Sequence, residues 1–170
     1  VIIPSTGQDG SVRIAQCVSS QIGCAMGCTF CSTGSMGFVR NMTAGEIAGQ
    51  VLAARIRLGD DRIDHPIIRN LVFMGMGEPL LNLREVIRSL EILHHNRGMD
   101  FTTRRITVST CGIKSGLREL GDSGLAFLAV SLHAPDQELR ARIMPRAARW
   151  PLDDLMETLA EYPLKTRERI

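Results

Sequence analysis

Short apolar segments alternate with helical segments along this 170-residue chain, and this alternation constrains its fold more than any other feature. The apolar, strand-like segments are residues 12–18, 70–74, 105–109 and 125–132. Helical periodicity or a helix-start signal is found at residues 43–58, 82–95, 114–120, 136–144 and 152–160. Strands that alternate with helices form parallel sheets covered by those helices. The sequence therefore predicts an α/β fold with about four β/α units.

The length of the chain limits how much of a barrel these units can form. A complete (β/α)₈ barrel takes about 250 residues, so we expect a partial, TIM-like barrel. The chain starts in a strand-like run, Val1–Pro4, without a Met, and its last residues, 164–170, include no closing helix signal. We therefore expect an internal part of a longer protein, truncated at both ends.

Three of the five cysteines lie in one short segment, and their spacing limits the chemistry they can serve. Cys24, Cys28 and Cys31 are separated by four and three residues. Structural zinc sites use four ligands, usually from two separated pairs, and no second Cys pair or His pair follows here. Iron–sulfur clusters are held by thiolates, usually four. Three thiolates on a four-iron cluster would leave one iron open to another ligand. A zinc knuckle and three unrelated core cysteines are the alternatives.

Polar residues and glycines also follow the predicted strands. Gly77 and Glu78 follow the second strand, Ser109 ends the third, and Ser131, Leu132 and His133 end the fourth. The carboxyl ends of barrel strands form the rim where enzymes of this architecture do chemistry. A glycine-rich turn allows close approach to the backbone, and the Glu78 carboxylate can bind a cation. A plain turn and structural Ser and His side chains are the alternative interpretation.

Other features of the sequence support four smaller predictions. Thr43 and Glu46 form a capping box that starts the helix at 43–58, and the segment 19–42 has no sustained period, which predicts a long functional loop. The odd, clustered cysteine count argues against a disulfide framework and favours a reducing compartment. No signal peptide and no apolar run long enough to span a bilayer is found, so we expect a cytoplasmic protein without a membrane partner.

Basic residues are bunched in two places although the net charge is only +2. Clustered cations can contact nucleic-acid phosphates, and they can equally form solvated surfaces. The two clusters comprise Arg97, Arg104 and Arg105, and then Arg140, Arg142, Arg146 and Arg149.

The cysteine spacing, with Phe30 before the last cysteine and the turn Met76–Pro79, resembles the radical SAM superfamily. The resemblance implies a partial barrel of the radical SAM type, with residues 1–170 as a single core domain. It implies a [4Fe-4S] cluster on Cys24, Cys28 and Cys31, whose open iron is chelated by S-adenosylmethionine (SAM). The positions that match SAM contacts are Gly77, Glu78, Ser109, Ser131, Leu132 and His133. Ser109 would bind the carboxylate or ribose, and His133 the nucleoside or a substrate phosphate.

Longer runs resemble one branch of that superfamily, the RlmN/Cfr family of radical SAM RNA methyltransferases. These runs are Cys17–Cys24, Gly37–Asn41, Phe73–Asn82 and Ser131–Pro135. The resemblance implies methylation of C2 of an adenosine in 23S rRNA and in tRNA, and the run Glu78–Asn82 is more similar to the C2 enzymes than to the C8 enzymes. A C8 methylase, another radical SAM enzyme and a non-enzymatic zinc module are the alternatives.

The family chemistry also implies roles for cysteines outside the cluster. One SAM methylates a carrier cysteine, and a second SAM supplies a radical that abstracts hydrogen from that methyl group. The resulting carbon adds to the adenine, and a resolving cysteine then releases the product by forming a disulfide. Cys17 matches the resolving cysteine, whereas the carrier matches a position beyond Ile170, so residues 1–170 alone are expected to be inactive. Cys111 does not match the carrier and is expected to be buried and inert. The implied partners are rRNA, tRNA and an electron donor such as flavodoxin, acting on a monomer.

Overall fold

Four parallel strands, each followed by a helix, form the centre of the molecule. The computed structural model describes residues 1–7, 10, 12–61, 66–164 and 169–170. Most of the predicted chain end, residues 165–168, therefore lies outside the described residues. The strands are β1 (Ile2–Thr6), β2 (Val12–Cys17), β3 (Gln21–Gly23), β4 (Phe38–Asn41), β5 (Ile68–Phe73), β6 (Ile106–Thr110) and β7 (Phe127–Val130). The helices are α1 (Ser32–Ser35), α2 (Ala44–Leu58), α3 (Leu83–His94), α4 (Lys114–Ser123), α5 (Gln137–Ile143) and α6 (Leu152–Ala160).

The main sheet has the strand order β1-β2-β5-β6-β7. The pairs β2–β5, β5–β6 and β6–β7 are parallel, and β1 is antiparallel to β2. Helices α2, α3, α4 and α5 follow the four parallel strands in turn. The predicted partial, TIM-like α/β barrel with four β/α units is therefore confirmed.

The two faces of the sheet differ in burial. On one face, alternate strand residues such as Leu71, Val108 and Leu128 are buried in one core with the apolar stripes of the helices, including Val86 and Leu90 of α3. Each such fully buried side chain stabilises the fold by about 1.5–3 kcal/mol. The opposite face carries the half-buried row Val72, Thr107 and Phe127, which are paired in register. This second face is the concave side of the partial barrel.

The segment 19–42 is more ordered than the sequence predicts. It contains α1 and the small antiparallel sheet of β3 and β4, so the prediction of one long loop is wrong in this respect. The Cys24 N–H donates to the Gly37 carbonyl at 2.9 Å, and a Cβ on Gly23 would lie 1.9 Å from that oxygen. Strands of three and four residues are too short to show a two-residue period. The prediction failed for that reason.

The predicted capping box at the start of α2 is confirmed. The Glu46 N–H donates to Thr43 Oγ1 at 3.2 Å, and the Thr43 N–H donates to Glu46 Oε2 at 2.9 Å. Arg40 adds a two-pronged ion pair, donating from Nη1 and Nη2 to the Glu46 carboxylate at 2.8 and 2.7 Å. These bonds, with that of Arg40 first, lower the pKa of Glu46 from its ordinary 4.5 to about 2.

We expect Glu46 to make stability pH-dependent in acid. Because its pKa is lower in the folded state, its contribution is fully present above about pH 4.5 and is lost as the pH falls through about 2. Glu46→Gln should therefore lower the urea-unfolding midpoint at pH 7, and the gap to the unchanged protein should narrow steadily between pH 4.5 and pH 2. A gap that stays constant down to pH 2 would contradict the assignment.

None of the helices in the described ranges has the length and apolar character needed to cross a membrane.

Candidate active site

One cleft at the carboxyl ends of the parallel strands collects most of the predicted site residues. It has a volume of about 270 Å³. The predicted residues that line it are Cys24, Cys28, Cys31, Gly77, Glu78, Ser109, Ser131 and His133. Residues from four different loops therefore meet in one place, as expected for the rim of a partial barrel.

The three clustered thiols lie half-buried along one side of this cleft. The loop that carries them is fixed by its own backbone: the Cys31 N–H donates to the Cys28 carbonyl at 3.1 Å, and the Met26 N–H donates to Cys24 Sγ at 3.5 Å. Burial raises the pKa of the Cys24 and Cys28 thiols, and the neighbouring thiols and Glu78 raise it further. The ionised thiolates are therefore unfavourable at this site unless a positively charged group lies beside them.

Cysteine thiolates hold either a single metal ion or a polynuclear cluster, and the two require different arrangements of the thiols. Within the described ranges, no three His, Cys, Asp or Glu side chains converge on one point as ligands of a single ion would. Three soft thiols that line one cleft fit a polynuclear iron–sulfur cluster, because each thiolate then binds a different iron. The residues present therefore fit a [4Fe-4S] cluster with one iron left open.

Glu78 is held rigidly at the mouth of the turn that follows β5. Its side chain is buried, with Oε1 accepting from the Leu80 N–H at 3.0 Å and Oε2 accepting from the Cys111 N–H at 2.9 Å. The Glu78 N–H donates to Gln21 Oε1 at 2.9 Å. A carboxylate has four lone pairs, so these two backbone bonds and the hydrogen bond from the Cys111 thiol leave it able to accept from a cationic ligand.

In the same turn, one backbone carbonyl already accepts hydrogen bonds from other parts of the protein. The Met76 carbonyl accepts from the N–H groups of both Ser20 and Gln21. A Cβ on Gly77, whose φ is +97°, would lie 2.5 Å from Gln21 Cβ. The turn therefore requires glycine at this position, and the Met76 carbonyl is not the group that would receive an ammonium.

The ends of β6 and β7 supply the opposite side of the cleft. Ser109 Oγ and Ser131 Oγ lie 3.3 Å apart, so the two hydroxyls form one polar site. His133 adopts a left-handed backbone with φ of 58°, and its ring centroid lies 4.7 Å from that of Phe30 at a tilt of 55°. Phe30 belongs to the cysteine loop, so this ring pair joins the two sides of the cleft at its entrance.

Two predicted residues do not line the cleft. Leu132 has an exposed side chain beside His133. Cys17 is half-buried at the end of β2, where it pairs in register with Val72 and thus lies on the concave face of the sheet. All five cysteines are free thiols, so the disulfide implied by the resemblance has no counterpart in this structure.

Cys111 is buried in the wall of the cleft, as the sequence predicted. Burial, reinforced by the nearby Glu78 carboxylate, strongly raises the pKa of its thiol. A thiol that stays protonated is a poor nucleophile and a poor metal ligand.

Sequence reasoning missed three buried polar side chains that support the site. Gln21 bridges the Glu78 N–H and Asn41, and Asn82 Nδ2 donates to the carbonyls of Ser20 and Met42 at 2.8 Å each. The sequence placed Arg140 in a basic cluster that was expected either to contact phosphates or to form a solvated surface. Arg140 is fully buried, so it does neither. A lone Arg one position after Leu139 in a helical segment gives no signal of burial, because only the neighbouring loops supply its acceptors.

Comparisons with known proteins agree with this geometry. Residues 18–167 match the Radical SAM superfamily. Dual-specificity RNA methyltransferases RlmN of Nitratidesulfovibrio vulgaris (strain Miyazaki F) and Lawsonia intracellularis are 75% and 63% identical over the whole chain, which spans 46% and 48% of them. A crystal structure of a radical SAM methyltransferase from Sphaerobacter thermophilus matches with a TM-score of 0.82 and 37% identity, covering 95% of this chain and 54% of that one.

The chain therefore belongs to the radical SAM superfamily, and the resemblance read from its motifs is confirmed. Proteins of this kind use a [4Fe-4S] cluster and SAM. The chain spans about half the length of the curated relatives it matches.

Proposed function

We propose that the protein containing this chain is a radical SAM RNA methyltransferase that methylates C2 of an adenosine in 23S rRNA and in tRNA. The observation that carries this proposal is the single cleft in which three clustered thiols face Glu78 and the Ser109–Ser131 hydroxyl pair. Two relatives of this chain are named dual-specificity RNA methyltransferases, which supports RNA methylation as the activity. Residues 1–170 would form one radical SAM core domain of that longer protein.

The cluster would be held by Cys24, Cys28 and Cys31. When bound, it supplies the electron that cleaves a carbon–sulfur bond of SAM. The protein's part is to keep the thiols on one wall of a half-buried cleft and to leave the opposite wall open for SAM. Met26 and Phe73, which also line the cleft, reduce the access of water to this position.

SAM would lie between the cluster and the ends of β5, β6 and β7. The fixed Glu78 carboxylate can accept a hydrogen bond from the α-ammonium, and Gly77, which also lines the cleft, would lie beside it. The Ser109 and Ser131 hydroxyls can donate to the carboxylate or the ribose. His133 and the neighbouring Leu132 would contact the nucleoside, and the Phe30 ring holds His133 in place.

Cys17 would be the resolving thiol. It lies on the concave face of the sheet, the face on which Thr107 and Ser109 also lie in register. A thiol there faces the interior of the barrel, where a substrate adenine held over the cleft would be within reach. The carrier cysteine would be supplied by the part of the protein that follows Ile170.

Further features of the proposal come from the family resemblance. The protein would act as a cytoplasmic monomer and would receive electrons from a donor such as flavodoxin. Its substrates would be 23S rRNA and tRNA, bound with contributions from parts of the protein outside these residues.

The test is methylation by the full-length protein, reconstituted anaerobically with iron and sulfide and supplied with SAM and a reductant. RNA from cells lacking this methylation would be digested, and its nucleosides identified by mass spectrometry. The proposal predicts 2-methyladenosine in 23S rRNA and in tRNA. 8-Methyladenosine would instead identify the C8 alternative, and unmodified adenosine with zinc bound would contradict the proposal.

A further inference from the structure

The segment of residues 137–150, here named the bracket, lies against the cysteine loop. It contains α5, the 3₁₀ turn Ala147–Arg149, the residues that connect them and Trp150. Met144, in the middle of the bracket, is buried and lines the same cleft as the three clustered thiols. The bracket is therefore part of the wall of the proposed cluster site, although it contains no predicted ligand.

Two contacts fasten the bracket to the cysteine loop. The Thr29 N–H donates to the Ile143 carbonyl at 2.9 Å, and the Arg146 guanidinium donates from Nη1 to the Ala25 carbonyl. Ala25 directly follows Cys24, and Thr29 directly follows Cys28. Each contact therefore fixes the backbone next to a cluster cysteine.

Arg140 fastens the bracket to the barrel. Its buried guanidinium donates from Nη1 to the carbonyls of Ala147 and Trp150 at 3.0 and 3.1 Å, and from Nη2 to the Cys111 carbonyl at 2.7 Å. The first two bonds fold the bracket onto itself, and the third joins it to the loop after β6. The Cys111 N–H in turn donates to Glu78, so the anchor of the bracket is continuous with the proposed SAM site.

We propose that Arg146 is a positioning residue that holds the cysteine loop closed around the cluster, reaching it from a bracket that Arg140 fixes in place. This inference rests on the proposed cluster. Arg146 is exposed, so its removal leaves the core packing unchanged, whereas Arg140 is fully buried and its removal threatens folding. Arg146 is therefore the residue to test.

The experiment uses the full-length protein, reconstituted anaerobically, with the variants Arg146→Ala, Arg146→Lys and Arg142→Ala. Arg142 is an exposed arginine of α5 and serves as the matched control. Four quantities would be measured: iron release to a ferrous chelator, the EPR spectrum of the reduced cluster, the thermal unfolding midpoint and the affinity for RNA. We expect R146A to release iron about tenfold faster, the lower end of the effect of losing one charge-assisted hydrogen bond. Its EPR signal should shift, its unfolding midpoint should be unchanged, and R146K should recover most of the slow release.

Four results would overturn the inference. The first is R146A behaving like R142A. The second is faster iron release that merely follows a lowered unfolding midpoint. The third is an unaltered cluster with weakened RNA binding, which would assign Arg146 to the substrate. The fourth is failure of the protein without substitutions to take up an iron–sulfur cluster. That result would also overturn the proposed function, whereas the other three would leave it standing.

Discussion

Cys28→Ala in the full-length protein is expected to reduce bound iron and sulfide, and with them RNA methylation, to background. Cys28 is the middle thiol of the three that line the cleft. Its carbonyl accepts from the Cys31 N–H, and the Thr29 N–H that follows it donates to the Ile143 carbonyl. A four-iron cluster is usually held by four thiolates, and here only three are present. With two, half of its irons would have no protein ligand, and the cluster would be lost. Iron and acid-labile sulfide would be assayed after anaerobic reconstitution, together with methyl transfer.

The control is Cys111→Ala, because Cys111 lines the same cleft but is buried and protonated. This variant should keep its full iron content and lose only a small amount of stability, about 1 kcal/mol for the cavity left by one sulfur atom. Loss of iron from C111A with retention in C28A would contradict the ligand assignment.

Gly23→Ala is expected to destabilise the protein by about 3 kcal/mol and to prevent the cysteine loop from forming. Gly23 has φ of +77°, and a Cβ there would lie 1.9 Å from the Gly37 carbonyl oxygen. That carbonyl accepts the hydrogen bond from the Cys24 N–H, so the β3–β4 pair and the first cluster cysteine would be displaced together. Urea-unfolding midpoints and iron content after reconstitution measure the two effects.

Gly49→Ala provides the matched control for this change. Gly49 lies inside α2, and nothing lies within 4 Å of the position that its Cβ would take. Alanine in a helix is favoured over glycine by about 1 kcal/mol, so G49A should raise the unfolding midpoint and leave iron content unchanged. Equal effects of G23A and G49A would show that the close approach at Gly23 is unimportant.

The parts of the fold that could be predicted from the sequence have strong local signals. The pattern of apolar strands and amphipathic helices predicted the order of the β/α units. The capping box predicted that α2 begins after Thr43, its N-cap residue. The site residues could be grouped because parallel strands bring their carboxyl ends to one edge. Eight of the predicted residues line one cleft for that reason.

The parts that could not be predicted depend on contacts between distant segments. The strands β3 and β4 are too short to show a period and depend on the approach of Gly23 to Gly37. Arg140 is buried because carbonyls of Cys111, Ala147 and Trp150 surround it, and its own sequence neighbourhood is that of an exposed helix. The exposed side chain of Leu132 likewise reflects how β7 ends, which strand periodicity does not determine.

The central claim, a cluster with one iron open to SAM, is tested most directly by low-temperature EPR of the full-length protein. The protein would be reconstituted anaerobically, reduced with dithionite and measured with and without SAM. The account predicts the signal of a reduced [4Fe-4S] cluster whose g-values shift when SAM is added. A protein that binds zinc and gives no cluster signal, or a cluster signal that SAM leaves unchanged, would contradict it.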